Sequence, residues 1–256
     1  MNLSQGETPA QRNDQFPARP DTASLVHEKV LSLLKLEKPG RLLDVPAGEG
    51  AFAERARALG HEVICGDLDP TRFRVEDLKC ARLDLNASWP YPSGSLDYLV
   101  SIEAVEHLEN PWHYVKEARR VLKDHGKLFL STPNVLTIKS RLSYLINGYP
   151  NYFHYMIDQD QSGMERAIDH INPIGFLELR HVLARNGFVV DLIEANRYPK
   201  QASLLFQLLR LFLKTRGRSK VRANLAKARV RQILLSKPLL FGEVLILRCS
   251  RLSEND

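Results

Sequence analysis

Short apolar runs alternate with stretches of helical period along most of this chain, and few architectures accept that alternation. Arg41-Leu42-Leu43-Asp44-Val45 reads as a short buried strand. Ala51 to Leu59 reads as a helix stopped by Gly60, and Glu62 to Cys65 as a second strand. Lys79 to Leu83, Leu96 to Ser101 and Gly126 to Ser131 read as strands three to five, with a helix over Pro111 to Leu122. A helix from Ile174 to Asn186, a sixth strand from Phe188 to Ile193 and a last strand from Glu243 to Arg248 follow. Strands separated by helices are joined by crossovers, so they lie parallel in one sheet covered on both faces. The expectation is an α/β, Rossmann-like fold.

The 256 residues suffice for one large domain of this kind. Residues 1–22 are polar, carry three prolines and show no apolar period, so they read as a disordered tail ahead of a domain over 23–256. Leu25, Val26, Val30, Leu31, Leu33 and Leu34 then recur at helical spacing up to Pro39-Gly40. Cys65, Cys80 and Cys249 fall in no disulfide or metal spacing, which points to a reducing, cytoplasmic setting. The N-terminus shows no signal pattern, and no apolar run approaches the roughly 20 residues of a membrane span.

Charge is unevenly spread. The net charge is +6, yet Ala195 to Gly242 holds 12 Lys or Arg and no Asp or Glu. A basic segment is set into an acidic body as an insertion, near 197–240, before the last strand. Within it Leu204, Leu205, Phe206, Leu208, Leu209, Leu211, Phe212 and Leu213 predict one helix with a broad apolar face. Lys214, Arg216, Arg218, Lys220 and Arg222 follow, and a second helix carries Lys227, Arg229 and Arg231. An apolar face beside cations over 200–237 suits peripheral contact with an anionic membrane surface, at the inner face of the membrane. Packing on the sheet or on a second subunit, and steering of an anionic acceptor, are alternatives. Nucleic acid fits less well, because no aromatics are interleaved for base stacking. The oligomeric state is left open.

The loop Asp44-Val45-Pro46-Ala47-Gly48-Glu49-Gly50 joins the first strand to a helix. Its glycines allow close approach of a ligand, and the helix start offers free N–H groups. Gly48-Glu49-Gly50-Ala51-Phe52-Ala53 fits a dinucleotide fingerprint, with Asp67 at the distance of a ribose-binding acid. Asp44 decides between cofactors. A carboxylate there repels a pyrophosphate but attracts the sulfonium and ammonium of S-adenosylmethionine. Asp67 ends the second strand, where it can accept ribose hydroxyls. Asp84 ends the third, within reach of an adenine amine.

These segments stand as LLDVPAGEG, VICGDLDP, LDLNASWPYPSGSLDYLVSIEAVEHLENP, GKLFLSTPN and HINPIGFLELRHVLARNGF, in order over about residues 38–194. As a set they resemble the class I S-adenosylmethionine-dependent methyltransferases, in the broad group that includes ubiquinone-biosynthesis-type O-methyltransferases. The resemblance implies a seven-stranded sheet whose last strand is antiparallel, and S-adenosyl-L-methionine as cofactor. It implies that Asp44, Pro46, Ala47, Gly48 and Gly50 line the methionine part and that Asp67 with Leu68 holds the ribose. Asp84 and Leu85 would flank the adenine, and Ser101 and Ile102 would lie beneath the sulfonium. Pro46 stands where the family usually has glycine, which removes one backbone donor and fixes φ. A tolerated variant, a weakened site and a catalytically silent relative all fit that departure.

Methyl transfer needs an acceptor placed behind the sulfonium methyl, and a base if the acceptor is a hydroxyl. His170, in Asp169-His170-Ile171-Asn172-Pro173, is the first candidate for that base, and His107 the second. Either could instead be a structural histidine. His61, His125 and His181 read as surface or element-end residues. No set of His and carboxylates shows a metal spacing, so metal-independent transfer is expected. Residues 135–173, with aromatics from Tyr149 to Met156, read as the lid or acceptor wall. The function expected is O-methylation of a small-molecule, glycan-like, lipid-linked or other anionic acceptor. The alternatives are a nicotinamide-dependent oxidoreductase and a non-catalytic cofactor- or membrane-binding module.

Overall fold

A computed structural model describes residues 18–20, 22–151, 170–200, 204–208 and 225–253. Seven strands form one sheet: β1 (Arg41–Asp44), β2 (Glu62–Asp67), β3 (Cys80–Arg82), β4 (Leu96–Ser101), β5 (Leu122–Pro133), β6 (Phe188–Ala195) and β7 (Val244–Arg251). Their spatial order is β3-β2-β1-β4-β5-β7-β6. Neighbours from β3 to β5 pair in parallel. β7 runs antiparallel between β5 and β6, as expected for the last strand.

Seven helices are described: α1 (Val26–Leu34), α2 (Ala51–Ala58), α3 (Pro111–Val121), α4 (Ile138–Asn147), α5 (Phe176–Arg185), α6 (Leu225–Leu234) and α7 (Lys237–Phe241). One buried cluster packs α3 and α5 on one sheet face through Tyr114, Val115, Leu179 and Leu183 against Leu99, Leu128 and Leu247. Another packs α1 and α2 on the other face through Val30, Leu34 and Phe52 against Leu42, Val100 and Phe129. The crossovers leave β1 between β2 and β4, where chain order reverses. Ligands in open α/β sheets bind outside the carboxyl ends of the strands at such a point.

Three expectations change. Ala18, within the stretch read as tail, is 3% exposed and packs on Ala51 and Val75, so the ordered chain starts earlier. α4 occupies part of 135–173, the stretch read as lid or acceptor wall, where no helix was expected. Thr137 Oγ1 accepts the Ser140 N–H at 3.0 Å to start it, and Gly148 ends it at φ 83°. His61, read as surface, is 4% exposed with its ring edge-on to Tyr98. In the basic segment, 204–208 and α6 are helical. Residues 209–224, with half of the expected apolar face and the run to Arg222, lie outside the described residues, as do 152–169 with the aromatics Tyr152 to Met156.

Candidate active site

The carboxyl edge of β1, β2 and β4 opens into a cavity of about 510 Å³. Asp44, Pro46, Ala47, Gly48, Asp67, Leu68, Asp84, Leu85 and Ile102 line it, together with His107 and His170. The volume is ordinary for a cofactor site. Residues proposed for the donor and residues proposed for the acceptor therefore share one space.

Asp44 ends β1, beside Cys65 of β2 and Val100 of β4. It is 1% exposed, and its Oδ2 has no hydrogen-bond partner among the described residues. Burial, with the charge of Asp67 added, pushes its carboxyl well above the usual carboxylate range. The Ala53 N–H opposes that shift, yet a buried carboxyl with one oxygen left without a hydrogen bond is costly to ionise alone and favours a cation beside it. That is the chemistry of a sulfonium or ammonium group, and S-adenosylmethionine fits the donor set.

The first loop is held by its own backbone. Ala47 N–H donates to Gly66 O at 2.9 Å, and Gly50 N–H to Ala47 O at 2.8 Å. Gly48 adopts φ +52°, and its N–H donates to Asp67 Oδ2 at 2.8 Å. Asp67 Oδ1 accepts the Asp69 N–H at 2.9 Å. Asp84 Oδ1 accepts the Asn86 N–H at 2.8 Å, which fixes the end of the turn after β3.

Two of the expected residues lie off the cavity wall. Ser101 is fully buried and does not line the cavity. Side chains alternate along a strand, so Ile102 meets the cavity while Ser101 turns toward Tyr114. Gly50 also lies off the cavity wall. It precedes α2 at φ +93°, and a Cβ there would meet Val75 at 2.6 Å and Phe73 at 2.7 Å. Its missing side chain lets the loop after β2 pack closely.

Arg19, Ala23 and His27, from the chain ahead of β1, also form the wall and carried no local signal; Glu103, just past β4, joins them at the carboxyl edge of the sheet. Arg19 N–H donates to Glu49 Oε2 at 3.1 Å and Ala23 N–H to Glu103 Oε2 at 3.0 Å, so this segment straps the cavity. His27 is 7% exposed, with its ring edge-on to Phe52. Burial, helped by the Arg55 charge, lowers its pKa to about 4, so it is neutral at physiological pH. Glu103 sits at φ 47°, a strained conformation for a residue with a Cβ. Burial raises its carboxyl, the Glu243 charge adds to that, and the Ala23 N–H opposes it.

His107 and His170 meet at the other end, with ring centroids 4.8 Å apart and planes at 60°. The 3-10 turn Val105–His107 carries His107, and Asn172 fixes the return of the chain by donating its N–H to Glu106 O at 2.9 Å. Glu106 is fully buried, and burial, with Glu103 adding, pushes its carboxyl up to about 8. One ligand atom each from Glu106, His107 and His170 lies within 4.8 Å of the others. Sequence spacing showed no such grouping, because the fold brings His170 to Glu106 and to His107, 63 positions earlier in the chain.

A family model described as Methyltransferase domain matches residues 19–193. The chain belongs to this methyltransferase family. Among curated relatives, a probable S-adenosylmethionine-dependent methyltransferase of Mycobacterium tuberculosis is 32% identical over 113 residues, 42% of this chain and 41% of its own length. A ubiquinone biosynthesis O-methyltransferase of Xanthomonas oryzae pv. oryzae is 33% identical over 103 residues, 37% of this chain and 43% of its own length. The matched part thus spans about two fifths of these relatives. A SAM-dependent methyltransferase from Archaeoglobus fulgidus superposes with a TM-score of 0.57 at 18% identity, covering 89% of this chain and 93% of that one. Phosphoethanolamine N-methyltransferase 2 of Haemonchus contortus, in complex with S-adenosyl-L-methionine, superposes with a TM-score of 0.53 at 15% identity, covering 89% of this chain and 52% of that one. The last two likenesses establish the Rossmann-like fold. The domain is of the class I, S-adenosylmethionine-dependent methyltransferase type, and the nicotinamide alternative is set aside. Among the described residues no helix is long and apolar enough to cross a membrane.

Proposed function

We propose that this methyltransferase moves a methyl group onto an oxygen of a glycan-like, lipid-associated or otherwise anionic acceptor. The observation that carries the reading is the single cavity running from Asp44, Asp67 and Asp84 to His107 and His170. When bound, S-adenosylmethionine supplies an electrophilic methyl group. Asp44 balances its positive charge, while Asp67 and Asp84 receive the ribose hydroxyls and the adenine amine. His170, its ring edge-on to His107, takes the proton from the acceptor hydroxyl as the new bond forms, without a metal. The 12 cations and no acids between Ala195 and Gly242 support an anionic acceptor or contact with an anionic membrane surface from the cytoplasmic side.

Incubation with methyl-labelled cofactor and separate pools of glycans, lipid-linked saccharides and small hydroxylated lipids, followed by mass spectrometry, tests the reading. Label on an acceptor oxygen supports it. Tight cofactor binding with no transfer to any pool turns the assignment to a non-catalytic relative.

A second reading is favoured by the grouping of Glu106, His107 and His170 within 4.8 Å. One carboxylate and two imidazoles suit a divalent transition metal, which would hold the acceptor oxygen directly. Transfer that survives chelation favours the histidine base. Transfer that is lost on chelation and restored by a divalent metal favours this second reading.

A further inference from the structure

α4 is built the wrong way round for a helix facing water. Its one buried residue is a small polar one, Ser140. Leu142, Leu145 and Ile146 are 53%, 80% and 77% exposed. At spacings of three and four they form a single outward stripe, and the exposed Lys139 stands at its head. An apolar stripe left in water on a short helix marks an interaction surface.

The surroundings of the stripe say what it meets. Arg141 Nε donates to Leu136 O at 2.8 Å, and its Nη2 to Leu234 O at 3.0 Å, which joins α4 to the end of α6. α6 presents Lys227 and Arg229 to solvent. The helical stretch 204–208 leans on α7 through the Phe206 and Phe241 rings, 6.4 Å apart and at 89°. It leaves Leu204, Leu205 and Leu208 50% or more exposed. Apolar side chains are thus exposed on two elements tied to one segment that carries 12 cations and no acids. A second copy of the chain would bring like charges together. An anionic lipid surface satisfies both features: the headgroups meet Lys and Arg, and the leucines enter the interface.

We propose that α4 is the membrane-docking face of this enzyme, and that its partner is a bilayer bearing anionic phospholipid. α4 leaves the sheet directly after the carboxyl end of β5, the edge where the cavity opens. Docking there places that edge toward the lipid. This deepens the acceptor reading above, in that the acceptor arrives from the membrane, but the surface is tested without any acceptor.

The full chain is sedimented with phosphatidylcholine vesicles, with and without phosphatidylglycerol, as wild type and as Leu145→Ser/Ile146→Ser. S-adenosylhomocysteine affinity, measured by calorimetry, reports the fold of the variant. The wild type is expected to sediment only with the anionic vesicles. The double variant is expected to lose about tenfold or more in partitioning, at unchanged S-adenosylhomocysteine affinity. Equal sedimentation of the two proteins overturns the proposal, as does wild type that ignores anionic vesicles. A dimer that the double variant dissociates assigns the stripe to a second copy and also overturns it. Vesicle binding without methyl transfer to any lipid leaves this surface standing and removes the acceptor reading alone.

Discussion

The backbone N–H of Gly48 donates to Asp67 Oδ2 across 2.8 Å and so ties the loop after β1 to the end of β2. Asp67 thereby holds the loop after β1 and the end of β2 in one arrangement before any cofactor arrives, which reduces the ordering required on binding. Hydrogen bonds to a carboxylate contribute about 1.5–3 kcal/mol. Asp67→Ala is therefore expected to weaken S-adenosylhomocysteine binding by about tenfold to a hundredfold in calorimetry. Affinity within a factor of about two of wild type would remove Asp67 from the site.

Gly50 acts through packing. At φ +93°, with Val75 2.6 Å from any added Cβ, Gly50→Ala combines backbone strain with a clash. A loss of about 1–3 kcal/mol is expected in urea unfolding. A neutral substitution would show that the loop after β2 yields freely.

Asp44 and Asp67, which end β1 and β2, and Asp84, two residues past β3, were legible as cavity-wall residues because each follows a short run of strand character and precedes a turn, a local pattern. Of Ser101 and Ile102, both expected beneath the sulfonium, strand alternation puts Ile102 on the cavity wall and buries Ser101 behind it. α4 was missed because helices are recognised by a core-facing stripe, and its stripe faces outward over a lone buried Ser140. The strap contacts of Arg19 with Glu49 and of Ala23 with Glu103 join residues 30 and 80 positions apart, and no local pattern encodes them. The same holds for Glu106, His107 and His170, which meet only because the chain returns through Asn172.

His27 sets part of the acid limb of stability. Its pKa falls from 6.5 in the unfolded chain to about 4 in the fold, so the unfolded state binds more protons between those values. Its contribution is complete above pH 6.5 and is lost as pH falls through about 4. At most about 3 kcal/mol is at stake. In denaturant titrations, His27→Leu is expected to lose less stability than wild type between neutral pH and pH 4. Parallel curves for the two proteins would show that His27 is not held neutral.

The two acceptor-side histidines separate binding from chemistry. His170→Ala is expected to lower kcat by about a hundredfold to ten-thousandfold, and His107→Ala by less, because His107 orients and His170 takes the proton. S-adenosylhomocysteine affinity should stay within about twofold in both. A drop in cofactor affinity that matches the drop in rate would make the pair part of the donor site.

The most direct test of the account is the effect of the Asp44 charge on calorimetric binding of S-adenosylmethionine and NAD. Wild type is expected to bind S-adenosylmethionine and to ignore NAD, and Asp44→Asn to weaken S-adenosylmethionine at least about tenfold while keeping its fold. An Asp44→Asn protein that binds S-adenosylmethionine as tightly as wild type, or a wild type that takes NAD, would contradict it.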